Sequence, residues 1–251
     1  MKIKQAYISK CLIWFKDQWF SDYSLEIVTN PYEPVVMLGL YTDEDYNILK
    51  EYSGPVMVRW YGADALKITK PRLQLLKKQN NITHVTHIKS ISDILIKEKV
   101  PHKLINFTES KEILKLNAIP RGDCIYHYGN GINNFYGDDF LPEIEKRTKL
   151  KILKVIAKTE KREDIFTKFY PECFIGLSLT ATGGTIGIME QGLMGRMVIN
   201  NNGYPNCIPW VGIDDICENI MKEYLYRHED NVQISNNCKE CLDTDSKWLE
   251  I

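Results

Sequence analysis

The sequence predicts an α/β protein with two successive parallel sheets. Short apolar runs, typical of strands that are covered on both faces, alternate with amphipathic stretches of helical period. In the first half the apolar runs lie at residues 35–40 (VVMLGL), 55–60 (PVMVRW), 84–88 and 103–107. Alternation of strands with helices indicates βαβ units, which form parallel sheets.

The pattern restarts after a connector at residues 109–121, which indicates a second unit. Its strands are predicted at residues 124–128, 152–157, 173–179 and 197–199, and its helices at 141–148, 163–170, 185–194 and 214–226. We therefore expect one domain at residues 1–110 and another at 122–227, each of ordinary domain size. Residues 228–251 are expected to form a polar C-terminal tail.

Composition excludes several classes of protein. The chain of 251 residues is 44% apolar and 26% charged, as in ordinary globular proteins. No window approaches the roughly 20 apolar residues that span a bilayer, and no cleavage site follows the first apolar stretch, so we expect a cytoplasmic protein without a membrane span. Seven scattered cysteines indicate reduced thiols. The single Cys238-x-x-Cys241 motif lacks a second ligand pair, so no metal site is expected.

The most informative segment is residues 180–199 (TATGGTIGIMEQGLMGRMVI). A strand ends before it, Gly183 and Gly184 form a loop without Cβ atoms, and a helix is predicted to begin at Thr185. Glycines allow a ligand to approach the backbone closely, and a helix N-terminus attracts phosphate. The Glu190 carboxylate offers two acceptor oxygens to a sugar diol. The alternative is a tight turn followed by a solvated glutamate.

Two familiar nucleotide-binding patterns are absent from the sequence. No Gly-Lys-Ser/Thr follows the glycines, as a P-loop requires, and no spaced GxGxxG follows the first strand. The second absence argues against a dehydrogenase.

Residues 174–199 resemble the donor-site segment of GT-B glycosyltransferases, particularly the family-four type. There a strand leads through a small-residue loop to a helix with a glutamate and then to a Gly-x-x-Val-Ile strand. Residues 39–66 (GLYTDEDYNILKEYSGPVMVRWYGADAL) are similar to the N-terminal domain of small members. The resemblance implies two facing Rossmann-like domains with an interdomain cleft. It also implies a nucleotide-sugar donor, such as a UDP-sugar, held mainly by residues 122–227 without a required cofactor.

The resemblance assigns roles to several residues of this segment. Glu190 corresponds to the glutamate that holds the donor's ribose hydroxyls, and Gly183, Gly184 and Thr185 lie at the pyrophosphate or the transferred sugar. One position departs from the pattern, because the family's second glutamate, eight residues earlier, is Thr182 here. This departure leaves the sugar and the stereochemical outcome open.

Other candidates follow neighbouring strands. Lys158, ahead of Lys161 and Arg162, is expected to neutralise the leaving diphosphate, although a solvated basic loop is the alternative. Gly129 and Asn130 follow the first strand of the second half and are predicted to contact the donor or simply to form a turn.

Asp64 follows the strand at residues 55–60 and has two possible roles. As a carboxylate of the acceptor-side domain, it is a candidate to take a proton from the attacking hydroxyl. It could equally cap the next helix, and capping is the favoured alternative because aspartate fills that role often.

The acceptor is the least constrained part of the prediction. A glycan or another hydroxyl compound is expected. An anionic acceptor, such as a modified base in DNA or a phosphate-bearing glycan, is the alternative, because residues 67–78 contain five basic residues and no acid. The rival to an enzyme is a non-catalytic nucleotide- or sugar-binding protein of the same architecture, which the missing glutamate at Thr182 favours.

Overall fold

The structure is a computed structural model that describes residues 2–105, 112–129, 136–156, 159–180, 185–242 and 247–250; at 185 and 186 it describes the backbone alone. The chain divides into two compact units. Unit 1 comprises Met1–Lys111 and Leu242–Ile251, and unit 2 comprises Glu112–Cys241. Each unit contains one sheet in which neighbouring strands are parallel. The predicted α/β class with two Rossmann-like sheets is confirmed.

Unit 1 contains a six-stranded sheet in the order β2-β1-β3-β4-β5-β6. Its strands are β1 (Gln5–Ile8), β2 (Glu26–Ile27), β3 (Val35–Leu38), β4 (Val56–Trp60), β5 (Ile82–Thr86) and β6 (His102–Leu104). Its helices are α1 (Lys16–Tyr23), α2 (Asp43–Glu51), α3 (Ala63–Leu66), α4 (Lys70–Lys78) and α5 (Lys89–Lys97).

Strand β3 is central to unit 1 and is buried on both faces, as its unbroken apolar sequence predicts. Val35 and Met37 belong to the apolar cluster that includes Leu49 of α2, whereas Val36 and Leu38 belong to the cluster that includes Trp19 of α1. Successive side chains point to opposite faces of a sheet, so both layers of helices pack on this one strand.

Unit 2 contains a five-stranded sheet in the order β11-β10-β9-β7-β8. Its strands are β7 (Cys124–Gly129), β8 (Ile152–Ile156), β9 (Cys173–Leu177), β10 (Met197–Ile199) and β11 (Cys207–Ile208). Its helices are α6 (Leu141–Thr148), α7 (Arg162–Asp164), α8 (Tyr170–Glu172), α9 (Thr185–Leu193), α10 (Ile213–Leu225) and α11 (Val232–Glu240).

The sequence predicts that the helix after β8 ends at residue 170, but the helical segment continues to Glu172. A π-helical turn, Ile165–Phe169, joins α7 to α8, and Pro171 lies in the first turn of α8. Proline is tolerated there because its missing N–H would have no intrahelical partner. The extra π residue changes which side chains face the sheet, and Tyr170 is buried.

The structure differs from the prediction of a polar tail at residues 228–251. Helix α11 packs on α9, where the Ser235 hydroxyl donates to the carbonyl oxygen of Leu193 at 2.6 Å and Cys238 is buried. Further along, the Ile3 amide donates to the Leu249 carbonyl oxygen in unit 1. Few apolar residues mark this segment in the sequence, because polar side chains make much of its contact with the protein.

All seven cysteines are free thiols. Within the described part of the chain, no helix combines the length and the apolar character needed to cross a bilayer.

Candidate functional site

The strand order of unit 2 fixes where a ligand is expected. When the strands are numbered in chain order from β7 and the sheet is followed from β8 to β11, the order is 2-1-3-4-5. This is a doubly wound arrangement, in which the order of strand addition reverses between the first and third strands. In such sheets ligands bind beyond the carboxyl ends of the strands at this switch point, here at the ends of β7 and β9. Two polar clusters of described residues occupy this region, on opposite faces of the sheet.

The first cluster surrounds Glu190 of α9. Its side chain is buried, with 6% of the residue exposed. The guanidinium Nη2 of Arg162 donates to Glu190 Oε1 at 2.7 Å, and the Tyr170 hydroxyl donates to Oε2 at 3.2 Å. Both carboxylate oxygens therefore have a partner within the protein. Arg162 itself is partly exposed, with 39% of its side chain accessible, and lies over the ring of Phe166.

Burial is the largest influence on the ionisation of this cluster. It raises the pKa of Glu190 above its ordinary value, although the charge of Arg162 and the hydrogen bonds from Tyr170 and Arg162 oppose the shift. Burial also raises the pKa of Tyr170 strongly, so its hydroxyl stays protonated and acts as a donor. A carboxylate held in this way can exchange its internal donors for the hydroxyls of a ligand.

The second cluster consists of His127, Asp138 and Lys154. His127 in β7 is paired in register with Lys154 in β8, so both side chains emerge on the same face. Asp138 lies in a short 3-10 helix before α6; its Oδ1 atom lies 3.5 Å from His127 Nε2 and contacts Lys154 Nζ. His127 is fully buried, whereas Asp138 and Lys154 keep 22% and 45% of their side chains exposed.

The charges in this second cluster balance. Burial lowers the pKa of His127, so the imidazole is neutral at pH 7. For Asp138, burial is opposed by the hydrogen bond from Lys154 and by the charges of His127 and Lys154, and its pKa falls below the ordinary value. Asp138 and Lys154 carry opposite formal charges and together form a neutral donor–acceptor pair at the surface.

Two glycines place this pair at the carboxyl edge of the sheet. A Cβ atom at Gly129, the last residue of β7, would lie 3.5 Å from Asp138 Oδ1 and 3.7 Å from Lys154 Cε. A Cβ atom at Gly137, whose φ is +79°, would lie 2.6 Å from Leu179 Cβ, just beyond β9. Asp138 thus follows a backbone turn that spans the ends of β7 and β9.

Thr180 completes the described residues at the end of β9. It is 4% exposed, and its hydroxyl oxygen is buried with no hydrogen-bond partner. Buried polar groups usually have a hydrogen-bond partner. This hydroxyl lies beside the expected ligand position and has hydrogen-bonding capacity that the described residues do not use.

The structure places Asp64 in the first turn of α3, whose N-cap is Gly62, and there its carboxylate binds backbone amides at the helix start. The side chain has no exposed surface, and its carboxylate accepts hydrogen bonds from the amides of Tyr61, Gly62 and Ala65 at 2.8–3.2 Å. Burial raises its pKa to about 6, while these backbone donors oppose the shift. An attacking hydroxyl cannot reach this carboxylate, so the geometry favours the cap over the general base.

Several predicted residues lie outside the described part of the chain, namely Asn130, Lys158, Thr182, Gly183 and Gly184. Helix α9 begins at Thr185, and β7 ends at Gly129, as the sequence predicts within one residue. Sequence reasoning named Arg162 only as a neighbour of Lys158. It did not find Tyr170, Asp138 or Lys154 at all. The only local signal for Asp138 is its place after a glycine beyond the first strand of the unit.

The basic segment in unit 1 forms α4 and the turn before it. Lys67, Lys70, Lys77 and Lys78 are exposed. Arg72 is the exception, because it pairs with Asp43 at 2.8 Å and lies over the Tyr46 ring. The segment therefore keeps a positive surface of four lysines.

A cavity of about 290 Å³ lies away from the switch point, among residues 118–121 and 227–231. These residues precede β7 and follow α10, so the cavity is at the amino end of the sheet, opposite the switch point. We therefore do not assign the ligand to it. Among the described residues, no group of three or more His, Cys, Asp or Glu side chains could hold a metal ion.

Comparison with known proteins supports the fold. No family model matches the chain, and no curated protein matches its sequence. A mutant of S. aureus TarM, solved in complex with Fondaparinux, alpha-GlcNAc-glycerol and UDP, superposes over 86% of this chain with a TM-score of 0.57 and 14% identity. A glycosyltransferase from Rickettsia africae ESF-5 superposes over 90% with a TM-score of 0.52 and 12% identity.

These superpositions show that the chain has the fold of solved glycosyltransferases. The chain spans 54% of the TarM chain and 73% of the Rickettsia chain.

Proposed function

We propose that this chain is a glycosyltransferase that transfers a sugar from a nucleoside-diphosphate sugar to a hydroxyl group of an acceptor. The observation that carries the proposal is the position of Glu190. It is a buried carboxylate on the helix that follows the switch-point strand, in a fold shared with glycosyltransferases. A diol of the donor's ribose is the ligand that suits two adjacent acceptor oxygens.

The donor's anionic part fits the other groups at this edge. Helix α9 has nine residues, and a helix N-terminus such as that at Thr185 offers backbone N–H groups and the positive end of the helix dipole to a diphosphate. Arg162 holds Glu190 in the absence of nucleotide. When ribose hydroxyls replace Arg162 at the Glu190 oxygens, the partly exposed guanidinium becomes available to the leaving diphosphate. We assign Lys158 the same charge-neutralising role.

A UDP-sugar is the donor that we propose, since the TarM structure contains UDP. The acceptor is a glycan or another hydroxyl compound. The four exposed lysines at α4 keep an anionic acceptor as the alternative. In that case the transfer rate should fall with added salt, because screening weakens long-range attraction.

The test is titration calorimetry of the purified chain with UDP, GDP, ADP and TDP, followed by mass spectrometry with the corresponding sugar donors. We expect one nucleoside diphosphate to bind and its sugar conjugate to be hydrolysed slowly in the absence of acceptor. If no nucleoside diphosphate binds, the proposed function is wrong.

The second candidate function is non-catalytic nucleotide or sugar binding. The specific observation in its favour is that both Glu190 oxygens already have protein partners. The same experiment separates the two candidates. Tight nucleotide binding without hydrolysis or transfer, across the acceptors tried, would select the binding protein.

A further inference from the structure

The packing around the Asp138–Lys154 ion pair does not require the pair for stability of the fold. Both side chains are partly exposed, and partly exposed ion pairs add little to stability. Gly129, the last residue of β7, lies beside the pair, since a Cβ atom there would make ordinary contact with both side chains. An accessible ion pair at a ligand-binding edge is a candidate for ligand contact.

The backbone brings this pair to the switch point. The turn at Gly137 packs against Leu179, directly after β9, and Gly129 ends β7. Asp138 therefore lies across the ends of the two strands that flank the expected ligand position. Glu190 approaches the same edge from the other face of the sheet, since Tyr126, next to His127 in β7, packs on Tyr170.

The charge of the pair decides which part of the donor it suits. A diphosphate requires an excess of positive charge, whereas Asp138 and Lys154 together are neutral and His127 is uncharged. A neutral sugar carries adjacent hydroxyls, each of which donates one hydrogen bond and accepts others. A carboxylate to accept and an ammonium to donate, side by side, complement such a diol.

We infer that Asp138 and Lys154 form the subsite for the transferred sugar and discriminate between sugars that differ at one hydroxyl. This inference rests on the proposed function. His127 is fully buried, and its Nε2 atom lies 3.5 Å from Asp138 Oδ1. The Thr180 hydroxyl supplies a further donor and acceptor at the same edge.

The experiment measures dissociation constants for UDP and for its glucose, galactose and N-acetylglucosamine conjugates. The variants are Asp138→Asn and Lys154→Met. The matched control is Lys146→Met, which removes another exposed lysine–carboxylate pair of unit 2, with Glu143. We expect the preference of the wild-type chain for its best conjugate over the next to fall by roughly tenfold in both variants, because a site that hydrogen-bonds a hydroxyl discriminates through that bond. Affinity for UDP alone should stay within about twofold, as in the control.

Two results would overturn the inference while leaving the proposed function intact. One is an unchanged ranking of the conjugates in folded variants. The other is an equal loss of affinity for UDP and for the conjugates, which would make the pair a structural or phosphate-binding feature. If Lys154→Met does not fold, Lys154→Arg keeps the ion pair but changes its shape, and an unchanged ranking in that variant also overturns the inference. A wild-type chain that binds no nucleotide would instead refute the proposed function, and the inference with it.

Discussion

The Arg162 guanidinium lies 2.7 Å from the Glu190 carboxylate, although the two residues are separated by strand β9 and lie on different helices. Glu190 is almost entirely buried, and Arg162 is its only cationic partner among the described residues. The pair makes the burial of the carboxylate tolerable in the absence of a ligand, because a buried charge needs a partner. Under the proposed function, a ribose would have to compete with Arg162 for the same oxygens.

Replacement of Glu190 by glutamine tests this competition. The Glu190→Gln variant keeps the shape of the side chain but loses the charge and one acceptor oxygen. We expect nucleotide affinity to fall by about 1–3 kcal/mol, the cost of losing hydrogen bonds to a charged group. Titration calorimetry measures the change.

A matched control is Glu223→Gln, since Glu223 also pairs with an arginine of unit 2, Arg121, at 3.3 Å. Its position beside the amino-end cavity predicts unchanged nucleotide affinity. Equal affinity for nucleotide in the wild-type chain and in a folded Glu190→Gln variant would remove Glu190 from the site.

Much of the fold could be predicted from local sequence patterns, for physical reasons that particular elements illustrate. Strand β3 is buried on both faces, so its apolar run is unbroken, and α10 buries Ile216 and Ile220 at helical spacing. By contrast, β2 and β11 have two residues each and carry no period. Their existence depends on neighbours that already form a sheet.

The candidate site, too, could be predicted only in part from local sequence patterns. Glu190 could be predicted because the loop, the helix start and the glutamate are contiguous. The cluster of Asp138, His127 and Lys154 could not, because strand register and a turn bring together residues that are distant in sequence. No local pattern encodes such a contact.

Asp64 gives a prediction of how stability depends on pH. Its folded-state pKa of about 6 lies above the ordinary value of 3.8 because of burial, so the folded state favours the protonated form. The free energy of unfolding should therefore decrease as pH rises from about 4 to about 6, by about 3 kcal/mol for this group. The Asp64→Asn variant cannot ionise and should lose this component. Chemical denaturation at several pH values measures it; parallel pH profiles for the two proteins would contradict the assignment.

Arg196 predicts a large effect on the stability of unit 2. It is fully buried and donates to the carbonyl oxygens of Ile119, Pro120, Tyr170, Cys173 and Met194. Replacement by methionine removes the only donor to the Pro120 carbonyl oxygen among the described residues, whereas the other four carbonyl oxygens keep a second donor from the backbone or from Asn231. We expect Arg196→Met to lower the free energy of unfolding by about 1–3 kcal/mol.

The control for this prediction is Arg147→Met, which breaks an exposed ion pair with Asp214 and should leave stability nearly unchanged, because exposed ion pairs contribute little. The two units need not unfold in a single transition. The change in the free energy of unfolding is therefore measured on the transition whose midpoint differs between Arg196→Met and the wild-type chain. Similar stabilities for the two variants would show that the carbonyl oxygens find other donors.

Two glycines of helix α9 give opposite predictions for the same substitution. A Cβ atom at Gly192 would lie 2.4 Å from Cys238 Sγ of α11 and 2.7 Å from Asn206 Cγ, whereas at Gly187 the nearest atom, the Tyr170 hydroxyl oxygen, would be 3.7 Å away. Gly192→Ala should therefore destabilise the protein by about 1–3 kcal/mol through overpacking, because α11 must move away from α9. Gly187→Ala has room for its methyl group and should stabilise the helix by about 0.5–1 kcal/mol through its better helix propensity. Thermal unfolding of the two variants beside the wild-type chain measures both changes. If both variants prove stabilising, the contact between α9 and α11 is looser than these distances require, and residues 232–240 would then behave as the polar tail that the sequence predicts.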